Sequence, residues 1–287
     1  MTDMHRLRML QIPSHRAMVW RSALAAACDR AGWAFHIQDR DDPTPVLDPA
    51  KNSLVIGWVD HAPEGVVTRW IVQASRPGET LSWLQEVHSF SEHDGLYEAS
   101  LRLGSATTLV DAGAYLCHAD DAAIDLPGLG RIVVDAGGSH SPPDAGSLAF
   151  YDNLPPADGT GVSWPPRLFR YRDEHVAAAQ DGVIPLVGRR RLLFNGPHIF
   201  LPRGRWRFTG QFAVKPGDRA ELHIEWGYGE SVARLEEVVD RAGIYEVALE
   251  QVWDGVAPAD FRISLLMPVL DGELRFLGGN LVRLAAA

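Results

Sequence analysis

Several features that decide between function classes are scarce or missing in this sequence. Only two cysteines occur in 287 residues, and Cys28 and Cys117 stand far apart, so neither a disulfide framework nor a metal-spaced pair is present. No apolar run approaches the ~20 residues that cross a bilayer, so no membrane span is expected. The opening MTDMHRLRML is too short and too interrupted for a signal peptide, which makes the cytoplasm the expected compartment. The glycine fingerprint G-x-G-x-x-G does not follow the first strand-like run. That position reads IPSHRAMVW, with no glycine to let the backbone approach a pyrophosphate, so NAD and FAD are not expected. The P-loop pattern and the G-x-S-x-G elbow are also missing. Among 11 histidines there is no H-E-x-x-H. His88 and His93 are five apart and do not share a helix face well. His223-Ile224-Glu225 is a metal-motif fragment without the His-x-His that should precede it. No metal and no cofactor is expected.

What is present is globular: 46% hydrophobic and 22% charged residues, with a formal net charge of −10. From residue 186 onward basic and acidic side chains balance, so the acidic excess lies before it. An acidic surface repels phosphate backbones, which argues against nucleic acid as a partner. A small anionic ligand held by a local cluster remains compatible with it.

The chain changes period near residue 190. Before that, strand-like runs (LRMLQI, WAFHI, SLVIGWV, TRWIVQ, AYLCH, RIVVD) alternate with helical segments. Ser14 caps a helix whose apolar face is Ala17, Trp20, Leu24, Ala27/Cys28 and Ala31, and Gly32 stops it. Further helices are expected over 79–89 and 96–112, with Asp94 as a cap for the second. Alternation of this kind predicts a parallel sheet covered on both faces, a Rossmann-like α/β domain over residues 1–135. Residues 136–185 are dense in Pro, Gly, Ser and Asp and are expected to form an irregular connector, a linker or a lid. Over 186–287 the period is two. In GRWRFTGQFAV, Trp206, Phe208, Phe212 and Val214 share one face, interrupted only by Gly210. About eight such strands with turn residues between them predict a β-sandwich of jelly-roll type.

The stretches GPHIFLPRGRWRF, AGIYEVALE, ADFRISLL and DGELRFLGGNLVRL resemble the β-sandwich modules attached to bacterial carbohydrate-active proteins. The first half resembles, more loosely, a glycosyltransferase domain. These resemblances imply a place in polysaccharide synthesis or modification and a carbohydrate or nucleotide sugar as partner. Three functions follow as alternatives: a carbohydrate-binding accessory protein, a glycosyltransferase-type enzyme, or a structural, homo-oligomerising protein.

Candidate site residues are positional. Ligands of an open parallel sheet bind beyond the carboxyl ends of its strands. There the sequence supplies Ser14, His15 and Arg16, then Asp60 and His61, then Ser75 and Arg76. Arginine and helix-end amides suit an anionic ligand, and Asp60 or His15 would serve as base. The plain alternative is that Ser14 caps its helix and the charged residues face water. On the β half, Trp253 precedes Asp254-Gly255 and is the candidate stacking platform for a sugar. Arg205, Arg207, Gln211, His223 and Glu225 are the polar-face candidates for hydroxyl recognition, although a solvated sheet face has the same composition.

Overall fold

The computed structural model describes residues 5–38, 47–48, 50–57, 69–134, 144, 146–171, 182–217 and 219–286. The chain divides into two compact units, Met1–Pro155 and Pro156–Ala287.

In the first unit, β1 (Arg6–Gln11), β2 (Ala34–Gln38), β3 (Ser53–Gly57), β4 (Arg69–Ala74) and β5 (Tyr115–His118) form a fully parallel sheet. The strand order is β2-β3-β1-β4-β5. A Rossmann sheet runs 3-2-1-4-5-6, so the parallel sheet is present but not that order. Helix α1 (His15–Ala31) starts where Ser14 Oγ accepts a hydrogen bond from Ala17 N, and stops at Gly32 with φ 67°. Its Ala17, Trp20, Leu24, Ala27 and Cys28 pack with Leu7, Met9, Ile56 and Ile71 of the sheet. Helices α2 (Pro77–His88) and α3 (Glu92–Asp111) lead from β4 to β5. The cap of α3 is Ser91, not Asp94: Ser91 Oγ accepts from Asp94 N at 3.2 Å and donates to its carboxylate at 2.7 Å. The β1-to-β2 and β4-to-β5 crossovers run in opposite directions, and right-handed crossovers then put α1 and the α2–α3 pair on opposite faces. The RIVVD run does not join this sheet. Its residues form β7 (Gly130–Val133), paired with β6 (Ala123–Leu126) in a separate hairpin.

The second unit is antiparallel. Its strands are β8 (Gly161–Trp164), β9 (Arg170–Tyr171), β10 (Val183–Pro185), β11 (Arg191–Leu201), β12 (Gly204–Pro216), β13 (Ala220–Tyr228), β14 (Ser231–Val239), β15 (Gly243–Trp253), β16 (Ala257–Leu265) and β17 (Gly272–Leu284). One sheet has the order β10-β17-β12-β15, with β8 also on β17, and the other β14-β13-β16-β11-β9. Three of these strands come from the stretch expected as a connector. Their shortness and their Pro and Gly neighbours hid them. The runs GELRFLG and NLVRL are one strand, β17, whose register shifts opposite Gln211/Phe212.

The sheets meet through aromatic rings. Phe208 lies 5.0 Å from Trp226 and 4.7 Å from Phe261, and Phe169 lies 4.7 Å from Phe276. The gap at Gly210 has a cause: a Cβ there would come within 3.0 Å of the Phe261 ring and 3.3 Å of Phe208. Phe208 is fully buried among these rings, so Phe208→Ala should lower stability by about 3–5 kcal/mol. A urea titration reads this as a lowered midpoint, and an unchanged midpoint would contradict the packing described.

Candidate functional site

β1 and β4 are neighbours whose following helices leave in opposite directions, so a crevice opens beyond their carboxyl ends. Ser14 and Ser75 both stand there. Ser75 Oγ donates to Ile12 O at 2.8 Å and lies 2.9 Å from Ser14 Oγ, and both residues are buried. Their hydroxyls therefore tie the two strand ends together. Arg16 Nε donates to Ala119 O at 3.2 Å and lies 3.7 Å from Asp120 Oδ1, while Arg76 Nε donates to Asp120 Oδ2 at 3.0 Å. The structure thus brings Ser14, Ser75, Arg16 and Arg76 together. His15 is turned to the surface, where Nε2 lies 3.0 Å from Glu86, itself hydrogen-bonded by Ser82. Asp60 and His61 lie outside the described residues.

Two acidic residues complete the crevice that local sequence did not single out. Asp120 arrives from the turn after β5 and is linked to Arg76 only by tertiary pairing. Glu79 sits in the first turn of α2, where it reads as an ordinary helix-start acid. Its Oε2 is buried with no hydrogen-bond partner among the described residues. Burial first, and then the charge of Asp120, push its carboxyl above the usual range against the pull of Arg76, Arg16 and His15. The cysteines offer no nucleophile: burial pushes Cys28 up to about 11 and Cys117 up to about 12. Among the described residues no group of three His, Cys, Asp or Glu is placed to hold a metal ion, and no helix is long and apolar enough to cross a membrane.

In the second unit the six carbohydrate candidates do not form one site. Trp253 is a correction. It is fully buried, 5.2 Å from Trp226 and 5.3 Å from Tyr228, and its Nε1 donates to Ala257 O at 3.2 Å. Its position in β15 shares the inward phase of Val247, which local sequence at a strand end did not reveal. His223 and Glu225 lie on β13, in the other sheet from Arg205, Arg207 and Gln211. They are engaged in a charge network. Glu225 accepts from Arg234 Nε at 3.0 Å, and His223 lies 3.3 Å from Glu225 and 3.4 Å from Glu236. Nearby on that sheet, Asp260 is buried and accepts from Gly196 N at 2.9 Å and Arg262 Nε at 2.5 Å. Burial would raise its carboxyl, but the His198 ring and the Arg262 charge outweigh that and hold it low.

The outer face of β12 is organised differently. Register places Arg207 opposite Glu250, Thr209 opposite Ala248, and Gln211 opposite Glu246 on β15. On the other side Thr209 faces Asn280 of β17, which faces Ser163 of β8. Ser163, Asn280, Thr209 and Ala248 are short and make a floor across four strands, about 14 Å long at sheet spacing. On β12 and β15 long side chains wall it on both sides, whereas on β17 the flanking positions are Val282 and Gly278. Glu250 joins Arg205 in one hydrogen-bonded pair and lies 3.9 Å from Arg207. Gln211 Nε2 donates to Glu246 at 2.8 Å. The two walls are four residues apart on β12, about 13 Å. Ser163 Oγ is 2.6 Å from Asn280 Oδ1, which leaves the Asn280 amide nitrogen to the trough.

No family model matches the chain, and no curated protein does. Solved structures similar to it include TmCBM61 in complex with β-1,4-galactotriose, at 12% identity and TM-score 0.28, over 43% of this chain and 87% of that one. Another is the CBM36-1 domain of a multidomain xylanase from the hindgut metagenome of Trinervitermes trinervoides, at 10% identity and TM-score 0.30, over 45% and 100%. A third is the CBM22-1 and GH10 modules of a Clostridium thermocellum endo-1,4-β-D-xylanase with xylohexaose, at 10% identity and TM-score 0.29, over 46% and 30%.

The crevice carries its own pH test. A carboxyl raised by folding favours the fold while protonated and opposes it as pH rises through the raised value. Glu79→Gln should therefore raise the melting temperature at pH 7, and its advantage should shrink near pH 4. Thermal unfolding of both proteins across that range measures it.

Proposed function

We propose that this chain is a carbohydrate-binding accessory protein of polysaccharide metabolism, and that its sandwich receives a glycan in the trough across β8, β17, β12 and β15. One observation carries this reading: a floor of short side chains crosses four strands and, over β12 and β15, lies between two walls of hydrogen-bonding groups. Vicinal hydroxyls are both donors and acceptors, and the trough offers both: Arg207 and Gln211 on the walls and Asn280 on the floor donate, while Glu246 and Glu250 accept. The wall pairs are solvent-exposed, and such pairs contribute only about 0–1 kcal/mol, so a ligand reorganises them at little expense. The contact rests on hydrogen bonds and the aliphatic stems of the walls, since Trp253 is inside the core.

Ala248→Arg tests the reading. The position is exposed on the floor, so the larger side chain fills the trough without touching the aromatic core. Calorimetric titration with an oligosaccharide panel should show at least a tenfold loss of affinity at an unchanged melting temperature. Full binding by this variant would place recognition elsewhere.

A second reading, a glycosyltransferase-type enzyme with a nucleotide-sugar donor, is favoured by the gathering of Ser14, Ser75, Arg16 and Arg76 beyond the carboxyl ends of β1 and β4. A nucleoside diphosphate should then raise the melting temperature of the full chain, and Arg76→Ala should remove the shift. No shift with the unaltered protein would set this reading aside.

A further inference from the structure

The two walls of the trough differ in charge, and the difference names a ligand class. On one wall, Arg205 and Arg207 share a single carboxylate. Glu250 is hydrogen-bonded to Arg205, while Arg207 approaches it only to 3.9 Å. Among the described residues Arg207 makes no hydrogen bond, although its side chain is 43% exposed beside the floor. On the opposite wall the imbalance reverses. Glu246 accepts one hydrogen bond, from the uncharged amide of Gln211, and has no cationic partner within ion-pair distance among the described residues. Two residue rows separate a wall of two guanidinium groups sharing one carboxylate from a wall whose carboxylate has no cationic partner among the described residues, with Thr209 and Ala248 between them.

We infer that the trough selects an acidic glycan, one built with uronate residues, whose carboxylate pairs with Arg207 while ring hydroxyls on the opposite edge donate to Glu246. This rests on the reading of the trough as a glycan site. The geometry of the groups supports it. A guanidinium presents a planar fork of donors that matches the two oxygens of a carboxylate. An ionised carboxylate such as Glu246 only accepts, so it takes hydroxyl donors and repels a second anion. On a hexuronate ring the C5 carboxylate and the C2 and C3 hydroxyls lie on opposite edges, which is the arrangement the two walls complement. A neutral ring satisfies Glu246 but leaves the excess positive charge of the Arg205, Arg207 and Glu250 wall unmatched. The same asymmetry fixes direction: turning the sugar over would place carboxylate against carboxylate. The even balance of basic and acidic residues from 186 onward means that this local arrangement is not cancelled by a strongly acidic sandwich.

The test uses the full chain and paired probes. Oligomers of galacturonate, glucuronate and mannuronate are each compared with their carboxyl-reduced counterparts, which keep the linkage and lose the charge. Calorimetric titration at low salt should show at least one uronate oligomer binding about tenfold tighter than its reduced form, and the difference should narrow as salt is raised. Arg207→Ala should bring the two members of that pair to equal affinity with an unchanged melting temperature, and Arg207→Lys should restore part of the preference. Glu246→Gln should weaken the uronate and its reduced form by a similar factor, because both offer the same ring hydroxyls to that carboxylate. Reduced oligomers binding as well as the uronates, or a preference that survives Arg207→Ala, would overturn the assignment of an acidic ligand and leave glycan binding standing. A protein that binds no member of either set would overturn both.

Discussion

A strand that buries alternate residues has no choice about the others. In β12 the inward phase is set by Trp206, Phe208, Phe212 and Val214, each fully or nearly fully buried. That phase sends Arg205, Arg207, Thr209 and Gln211 outward. The register with β15 and β17 then decides their neighbours: on β15 a glutamate stands beside Arg207 and another beside Gln211, and short residues flank the threonine on both sides. The trough is thus a by-product of packing on the far side of the same strand. Slipping the register by one residue would exchange the rings for the guanidinium groups, so the core protects the chemistry of the wet face.

The parallel unit shows a different division of labour. Its crevice is a product of connectivity, because adjacent strands hand the chain to opposite faces. Ser14 and Ser75 join the two strand ends, and Asp120 gathers Arg16 and Arg76. The groups expected to wait for a ligand are mostly occupied with one another. Glu79 is the exception, held beside them with an oxygen that nothing described satisfies.

The sequence made some of this legible. Ser14 and Gly32 bound α1 because capping chemistry is local. The two-residue beat of β12 is local as well, and so is the placement of Trp206 and Trp226 in the core. Partnership between distant segments was not legible. Trp253 looked like a platform because it ends a strand, but only the opposing sheet decides whether a strand end is covered. His223 and Glu225 share the polar phase of Arg205 and Arg207 yet belong to the other sheet, and period alone does not assign sheets. β8, β9 and β10 are too short to show a period at all. The exchange of β2 and β3 in the parallel sheet leaves no mark in either strand, since both are read as short apolar runs.

β17 is laid between β12 on one side and β8 and β10 on the other, so its late position along the chain has a temporal meaning. During synthesis, β12 can zip to β15 as soon as residue 253 has emerged, but β8 and β10 have no partner until residues 272–284 follow. Until then one long edge of β12 stays open and the floor of the trough lacks both Asn280 and a fixed Ser163. A nascent chain paused before residue 272 would therefore carry an incomplete sheet, with β17 the last strand to close it.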